Sequence, residues 1–189
     1  MKSYKHLWED FISHENIVLA IDNSSKHKRK RKEVRKVYQN KEKYIKPIQK
    51  SLIGGFKNSK HIPKEIYDGI QRKKRTIIVP TYREQIVHHA LINILKPIFW
   101  KGMYEHSYGS LPNRGGHKGK KTIEKWIKKD FKNTKYYLKM DIKKYFDSIP
   151  HDILKRKLSN IIRDKKFLDV LFEVIDVTDK GLPLGFYTS

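Results

Sequence analysis

At 189 residues with 38% hydrophobic side chains, the chain is long enough for one cored domain or for a piece of something larger. Its 43 Lys+Arg against 20 Asp+Glu leave a net charge of +23, which a compact fold tolerates best beside a polyanion, and nucleic acid is the natural one. The absence of cysteine excludes disulfides and thiolate metal sites and fits a reducing cytoplasm, while no apolar run has bilayer-spanning length or the character of a secretory leader.

Taken in order, Leu7, Trp8, Phe11, Ile12, Ile17, Val18 and Ile21 recur at helical spacing and predict one helix, interrupted near His14. Ser24 to Lys36 then holds eight Lys/Arg, among them Lys28, Arg29, Lys30 and Arg31. That run reads equally as a solvated helix face or arm, and as a surface that positions nucleic-acid phosphates without reading their sequence. Val34, Val37, Tyr38, Tyr44, Ile45, Ile48 and Leu52 carry the helical period on to Gly54-Gly55. Residues 75–80 (RTIIVP) predict a strand closed by proline, and the basic group Gln71 to Arg75 before it reads as a hairpin tip.

Tyr82 to Phe99 predicts an amphipathic helix that stops at Pro97. Its adjacent His88 and His89 point about 100° apart and cannot share a ligand face, so they read as satisfied or solvated histidines. Glycines 109, 115, 116 and 119 with Pro112 predict an ordered loop over 106–119, neither strand nor helix. Thr122 to Phe131 predicts a helix with Ile123, Trp126 and Ile127 inward.

The centre of the chain is Tyr136 to Leu154. Tyr136, Tyr137, Leu138, Met140 and Ile142 predict a strand with Asp141 near its end. Asp147 to Pro150 breaks it, with Asp147 placed to cap the helix that follows. Ile153, Leu154, Leu158, Ile161 and Ile162 then pack that helix back on the sheet, and Phe167 to Val177 reads as a buried helix. Alone, Asp141 reads as a solvated edge-strand acid among lysines. A carboxylate at a strand end can also hold Mg²⁺, which takes a few carboxylate oxygens and leaves room for water and phosphate.

The run DIKKYFDSIPH (141–151) resembles the first catalytic motif of bacterial reverse transcriptases, of the kind found in group II introns, retrons and diversity-generating retroelements. The resemblance implies that Asp141 binds the catalytic metal ions, with Ile142 beside it in the metal set. It implies that Phe146 closes the nucleotide pocket under the sugar and excludes a 2′-hydroxyl. Arg75 takes the position that grips the incoming triphosphate, with Lys73 or Lys74 joining it, and a guanidinium fork suits phosphate oxygens. Arg83 matches a charged position at its helix start. The block SYGSLPNR (107–114) followed by Gly and His is similar to the family's segment between fingers and palm, with Ser110 where phenylalanine is usual. It implies that Arg114 and His117 touch template or primer backbone. GLPLG (181–185) resembles the second palm block, a turn opening a helix beneath the templating base. Gly185 and Leu184 form its floor. Leu184 stands where many relatives have glutamine, which is similar to retron and diversity-generating enzymes more than to group II introns and implies looser checking of the base pair.

The resemblance implies an α/β (α+β) right-hand polymerase. A basic helical region would occupy 1–55, fingers with a β-hairpin and Gly-rich loop 56–135, and a partial palm 136–189. The implied activity is Mg²⁺-dependent addition of deoxynucleoside triphosphates to a primer 3′ end on an RNA template, with a retroelement accessory protein as a further partner. Two-metal chemistry needs more carboxylates than Asp141. The family's neighbouring pair is an Asp-Asp dipeptide, which the sequence does not contain. The expectation is therefore an N-terminal fragment that does not polymerise alone. A non-catalytic RNA-binding module derived from such an enzyme would use the same charge.

Overall fold

The computed structural model describes residues 3–70, 72–109 and 111–189, so Gln71 and Ser110 of the expectations above lie outside the described residues. In chain order the elements are α1 (Trp8–Ile12), α2 (His14–Ser25), α3 (Lys32–Gln39), α4 (Lys41–Ile53), β1 (Pro63–Asp68), β2 (Lys73–Ile78) and α5 (Tyr82–Trp100). They continue with α6 (Gly116–Lys129), α7 (Tyr145–Ser148), α8 (His151–Ile161) and α9 (Lys165–Ile175). Helices thus accompany one small antiparallel sheet among the described residues, a mixed composition compatible with the α/β expectation. Two compact units form: Pro97–Lys143 is the smaller, and Met1–Lys96 with Lys144–Ser189 the larger.

In the larger unit, the interruption expected near His14 falls at Ser13. Its hydroxyl accepts from the Asn16 N–H at 3.1 Å and donates to the Asp10 carbonyl at 2.8 Å, ending α1 and capping α2. The period from Val34 to Leu52 is split at Asn40 into α3 and α4, with Gly54 closing the second. β1 and β2 pair from Pro63↔Ile78 to Asp68↔Lys73, which makes the expected hairpin, closed by the Arg72 N–H donating to the Gly69 carbonyl at 3.1 Å. α5 runs through Pro97 instead of stopping there, because near the end of a helix a missing N–H forfeits a single bond.

The core of this unit joins both ends of the chain. Phe11, Ile17 and Ile21 meet Ile45 and Leu52, Ile86 and Leu91, and Phe167 of α9, all shut from solvent. The Phe11 and Phe167 rings sit edge to face at 5.2 Å, and full burial of one such side chain stabilises by about 2–3 kcal/mol. Asp164 fastens α9 by accepting from the Trp8 N–H at 2.8 Å and from the Phe167 N–H at 3.2 Å. α9 is buried as its sequence predicts. α8 packs on α9 rather than on a sheet. Asp147 lies inside α7 and caps nothing: α8 starts after Pro150, whose fixed φ begins the helix without a side-chain acceptor.

The smaller unit departs further from expectation. α6 begins at Gly116, so the end of the Gly-rich run is helical, and Ile123, Trp126 and Ile127 are exposed instead of inward. No strand forms over Tyr136–Ile142; the segment is irregular, and Tyr136 and Tyr137 are each 92% exposed. Strand propensity is largely the packing of a pleated segment against neighbours, and this one has no paired strand among the described residues. With the exposed side of α6 it borders an open cleft of 670 Å³. Among the described residues, no helix is long and apolar enough to cross a membrane.

Candidate functional site

The larger unit ties three predicted features together through backbone bonds. After Lys144, which turns the chain with φ +52°, α7 carries Phe146, half-buried beside Tyr145. The Phe146 carbonyl accepts from the Leu182 N–H at 2.8 Å, and the Gly181 N–H donates to the Ile149 carbonyl at 3.1 Å. Two residues on, the Leu184 carbonyl accepts from the Ile78 N–H at 2.8 Å, at the end of β2. The segment 181–185 is therefore a strap between the Phe146 turn and the hairpin. Its glycines are required: Gly181 has φ +75° and Gly185 φ +107°. A Cβ on either would lie 2.5 Å from a backbone oxygen, of Phe146 and Ile78 respectively.

The base of the hairpin is held by Glu84, which is 3% exposed. Its carboxylate accepts from the Ser59 N–H (2.6 Å) and hydroxyl (2.8 Å), from the Thr81 N–H (2.7 Å) and hydroxyl (2.8 Å), and faces His61 Nε2 at 2.9 Å. Burial works to raise its pKa, but the bonds from Ser59, His61 and Thr81 outweigh it and bring it down to about 2. The chain entering β1 and the chain leaving β2 are thus gathered on one charge. Sequence reasoning missed this residue. Thr81-Tyr82-Arg83-Glu84 is a capping-box pattern that marks the local half of the cluster, whereas Ser59 and His61 come from more than twenty positions away.

His88 and His89 lie next to this base and are not solvated. His88 is fully buried, 4.6 Å from the Phe186 ring, and neither of its ring nitrogens has a hydrogen-bond partner in the structure. His89 stacks on Tyr187 at 3.8 Å. Burial lowers both pKa values to about 4, with nearby Lys28 and Lys26 adding to the effect at His89. The expectation of a satisfied or solvated pair therefore fails for His88, which packs against the Phe186 ring.

The predicted cations occupy distinct settings. Lys73, Lys74 and Arg75 are exposed on β2. Strand alternation puts Lys73 and Arg75 on one face and Lys74 on the other, where it pairs with Glu65 at 2.7 Å. Lys28 donates to Gln85 Oε1 at 3.1 Å, and partial burial followed by neighbouring Arg31 lowers its pKa. Arg29 lies over the Tyr38 ring at 3.8 Å, while Lys30 and Arg31 project into solvent. Arg83 donates to the Pro47 carbonyl at 3.2 Å on the edge of a 510 Å³ cleft that Lys36, Lys43 and Tyr44 also line.

In the smaller unit, Arg114 directs Nη1 to the carbonyls of Tyr104, Glu105 and Ser107 at 2.8–3.2 Å, which folds the loop before α6. His117 is exposed in the first turn of α6. Asp141 and Ile142 are both exposed on the irregular segment. Ile142 offers a metal ion nothing but its backbone carbonyl. Among the described residues, no group of three His, Cys, Asp or Glu side chains is placed to hold a metal ion.

Comparison with known proteins gives the family of the chain. Residues 60–189 match the family model described as reverse transcriptase (RNA-dependent DNA polymerase). The chain is 31% identical over 101 residues to the putative COX1/OXI3 intron 1 protein of Saccharomyces cerevisiae, covering 53% of this chain and 12% of that protein. It is 28% identical over 104 residues to the group II intron-encoded protein LtrA of Lactococcus lactis (55% and 17%) and 26% identical over 101 residues to nuclear intron maturase 1 of Arabidopsis thaliana (53% and 14%). The chain thus spans less than a fifth of the length of these three relatives, all of them intron proteins by name. On the extent of the family match, this chain belongs to the reverse transcriptase (RNA-dependent DNA polymerase) family.

Proposed function

We propose that the chain supplies the fingers and the front of the palm of an RNA-directed DNA polymerase, which extends a primer on an RNA template with deoxynucleoside triphosphates. The observation that carries this reading is the strap at 181–185, bonded to the Phe146 turn at one end and to Ile78 at the other. It joins the sugar gate, the floor at Leu184 and Gly185, and the basic β2 strand into one hydrogen-bonded set. In this reading Arg75 and Lys73 neutralise the triphosphate from the same strand face. Phe146 presents its ring where a 2′-hydroxyl would sit, and Lys30, Arg31 and Arg83 hold nucleic-acid phosphates.

Asp141 is the one residue of this chain that the reading assigns to Mg²⁺, with the Ile142 carbonyl beside it. An exposed carboxylate fits one ligand position of a hard cation. The described residues do not make up the several-carboxylate set of a two-metal site. A retroelement accessory protein belongs to the same proposal.

The test is primer extension on an RNA template with Mg²⁺ by a chimera in which this chain replaces the matching 104-residue segment of the longer LtrA protein, parent against Asp141→Asn, alongside RNA binding of both. Synthesis by the parent, reduced at least 10³-fold in the variant with RNA affinity within twofold, supports the polymerase. Undiminished synthesis by the variant would remove Asp141 from the chemistry. Equal RNA binding with no synthesis by either protein would favour the RNA-binding module.

A further inference from the structure

We infer that His151 is a positioning residue for the sugar gate, bridging α8 to the strap at Gly181. Its Nε2 donates to the Gly181 carbonyl at 2.6 Å, while Nδ1 lies 3.3 Å from Asp176 Oδ1. Both facing atoms are acceptors, and the Nε2 contact is the shorter of the two. Lys155, one turn further along α8, pairs with the other oxygen of Asp176 and holds that carboxylate in place. The Gly181 carbonyl takes a second bond from the Thr178 hydroxyl at 2.9 Å, which fills its acceptor capacity.

What this anchors is Phe146. Gly181 donates to Ile149, its neighbour Leu182 donates to the Phe146 carbonyl, and the absent Cβ of Gly181 is what lets the strap lie against that carbonyl. The imidazole ring thus reaches the Phe146 carbonyl through one peptide unit, from the Gly181 carbonyl to the Leu182 N–H. Loosening it frees the end of the strap at Phe146, while the core around Phe11 and Phe167 lies elsewhere in the unit. The inference rests on the polymerase reading for its consequence, sugar selection, but not for its geometry.

Amide hydrogen exchange on the whole chain tests the geometry without requiring synthesis. His151→Ala should lower protection of the Leu182 N–H at least tenfold and leave Leu171 in α9 unchanged. His151→Gln, which keeps a donor toward Gly181, should restore most of it. Asp176→Ala should weaken the Leu182 N–H in the parent and have no further effect in His151→Ala. Unchanged Leu182 protection in His151→Ala, or an equal fall at Leu171, would overturn the inference. Where the protein extends primers, His151→Ala should also lower the preference for deoxy- over ribonucleotides at least threefold, with His151→Gln again restoring it. Normal exchange effects with unaltered sugar preference would overturn the consequence and leave the geometry standing.

Discussion

The two units are finished to different degrees. In the larger, apolar side chains from both ends of the chain are shut from solvent, and the hairpin, the Phe146 turn and the strap are fixed by backbone bonds. In the smaller, Ile123, Trp126, Tyr136, Tyr137, Leu138 and Met140 are all exposed. The hairpin, the Phe146 turn and the strap depend on short backbone bonds and buried charge, which this chain provides for itself. The Asp141 segment depends on neighbouring strands, and a β-prone run without them gains nothing from being extended.

That contrast can be broken most severely at the strap. Gly181→Ala or Gly185→Ala places a Cβ on backbone at positive φ and should destabilise the larger unit by about 3 kcal/mol, read as a lower urea midpoint. Glu84→Gln should come next, at about 2 kcal/mol, for the loss of charge-assisted bonds at the hairpin base.

The pH dependence sharpens the same point. Glu84 has a folded pKa of about 2 against an ordinary 4.5, so its contribution is present above 4.5 and is lost as pH falls through about 2. His88 and His89, at about 4 against 6.5, act sooner: the unfolded chain takes up their protons below 6.5 while the folded one does not until about 4, so stability declines across that interval. Acid titration of unfolding should show both windows, and Glu84→Gln should erase the lower one and keep the upper. The smallest effect belongs to the other unit. Trp126→Ser removes a large but exposed side chain and should shift stability by no more than about 0.5 kcal/mol.

Much of the larger unit was legible in the sequence because local rules act there. The hairpin, the interruption near His14 and the buried α9 each follow from residues a few positions apart. What escaped is long-range. Ser59 and His61 meet Glu84, His151 meets Gly181, and Phe186 seals His88, all across separations that no periodicity reports. Asp147 was read as a cap because its type suits one, but the helix start fell beyond Pro150. The strand over Tyr136–Ile142 and the inward face of α6 were over-read for one reason: apolar pattern states what a segment can bury, not whether a partner is present. The leaning toward retron-like enzymes drawn from Leu184 finds no counterpart in the three relatives, which are intron proteins by name.

Limited chymotrypsin digestion with mass mapping tests this contrast most directly. First cuts within Phe131–Met140, with Phe11, Phe167 and Phe186 intact until later, are what the account predicts. Early cleavage at Phe167 or Phe186 while Tyr136 to Met140 resists would contradict it, showing that the Asp141 segment is the packed one and the strap is not.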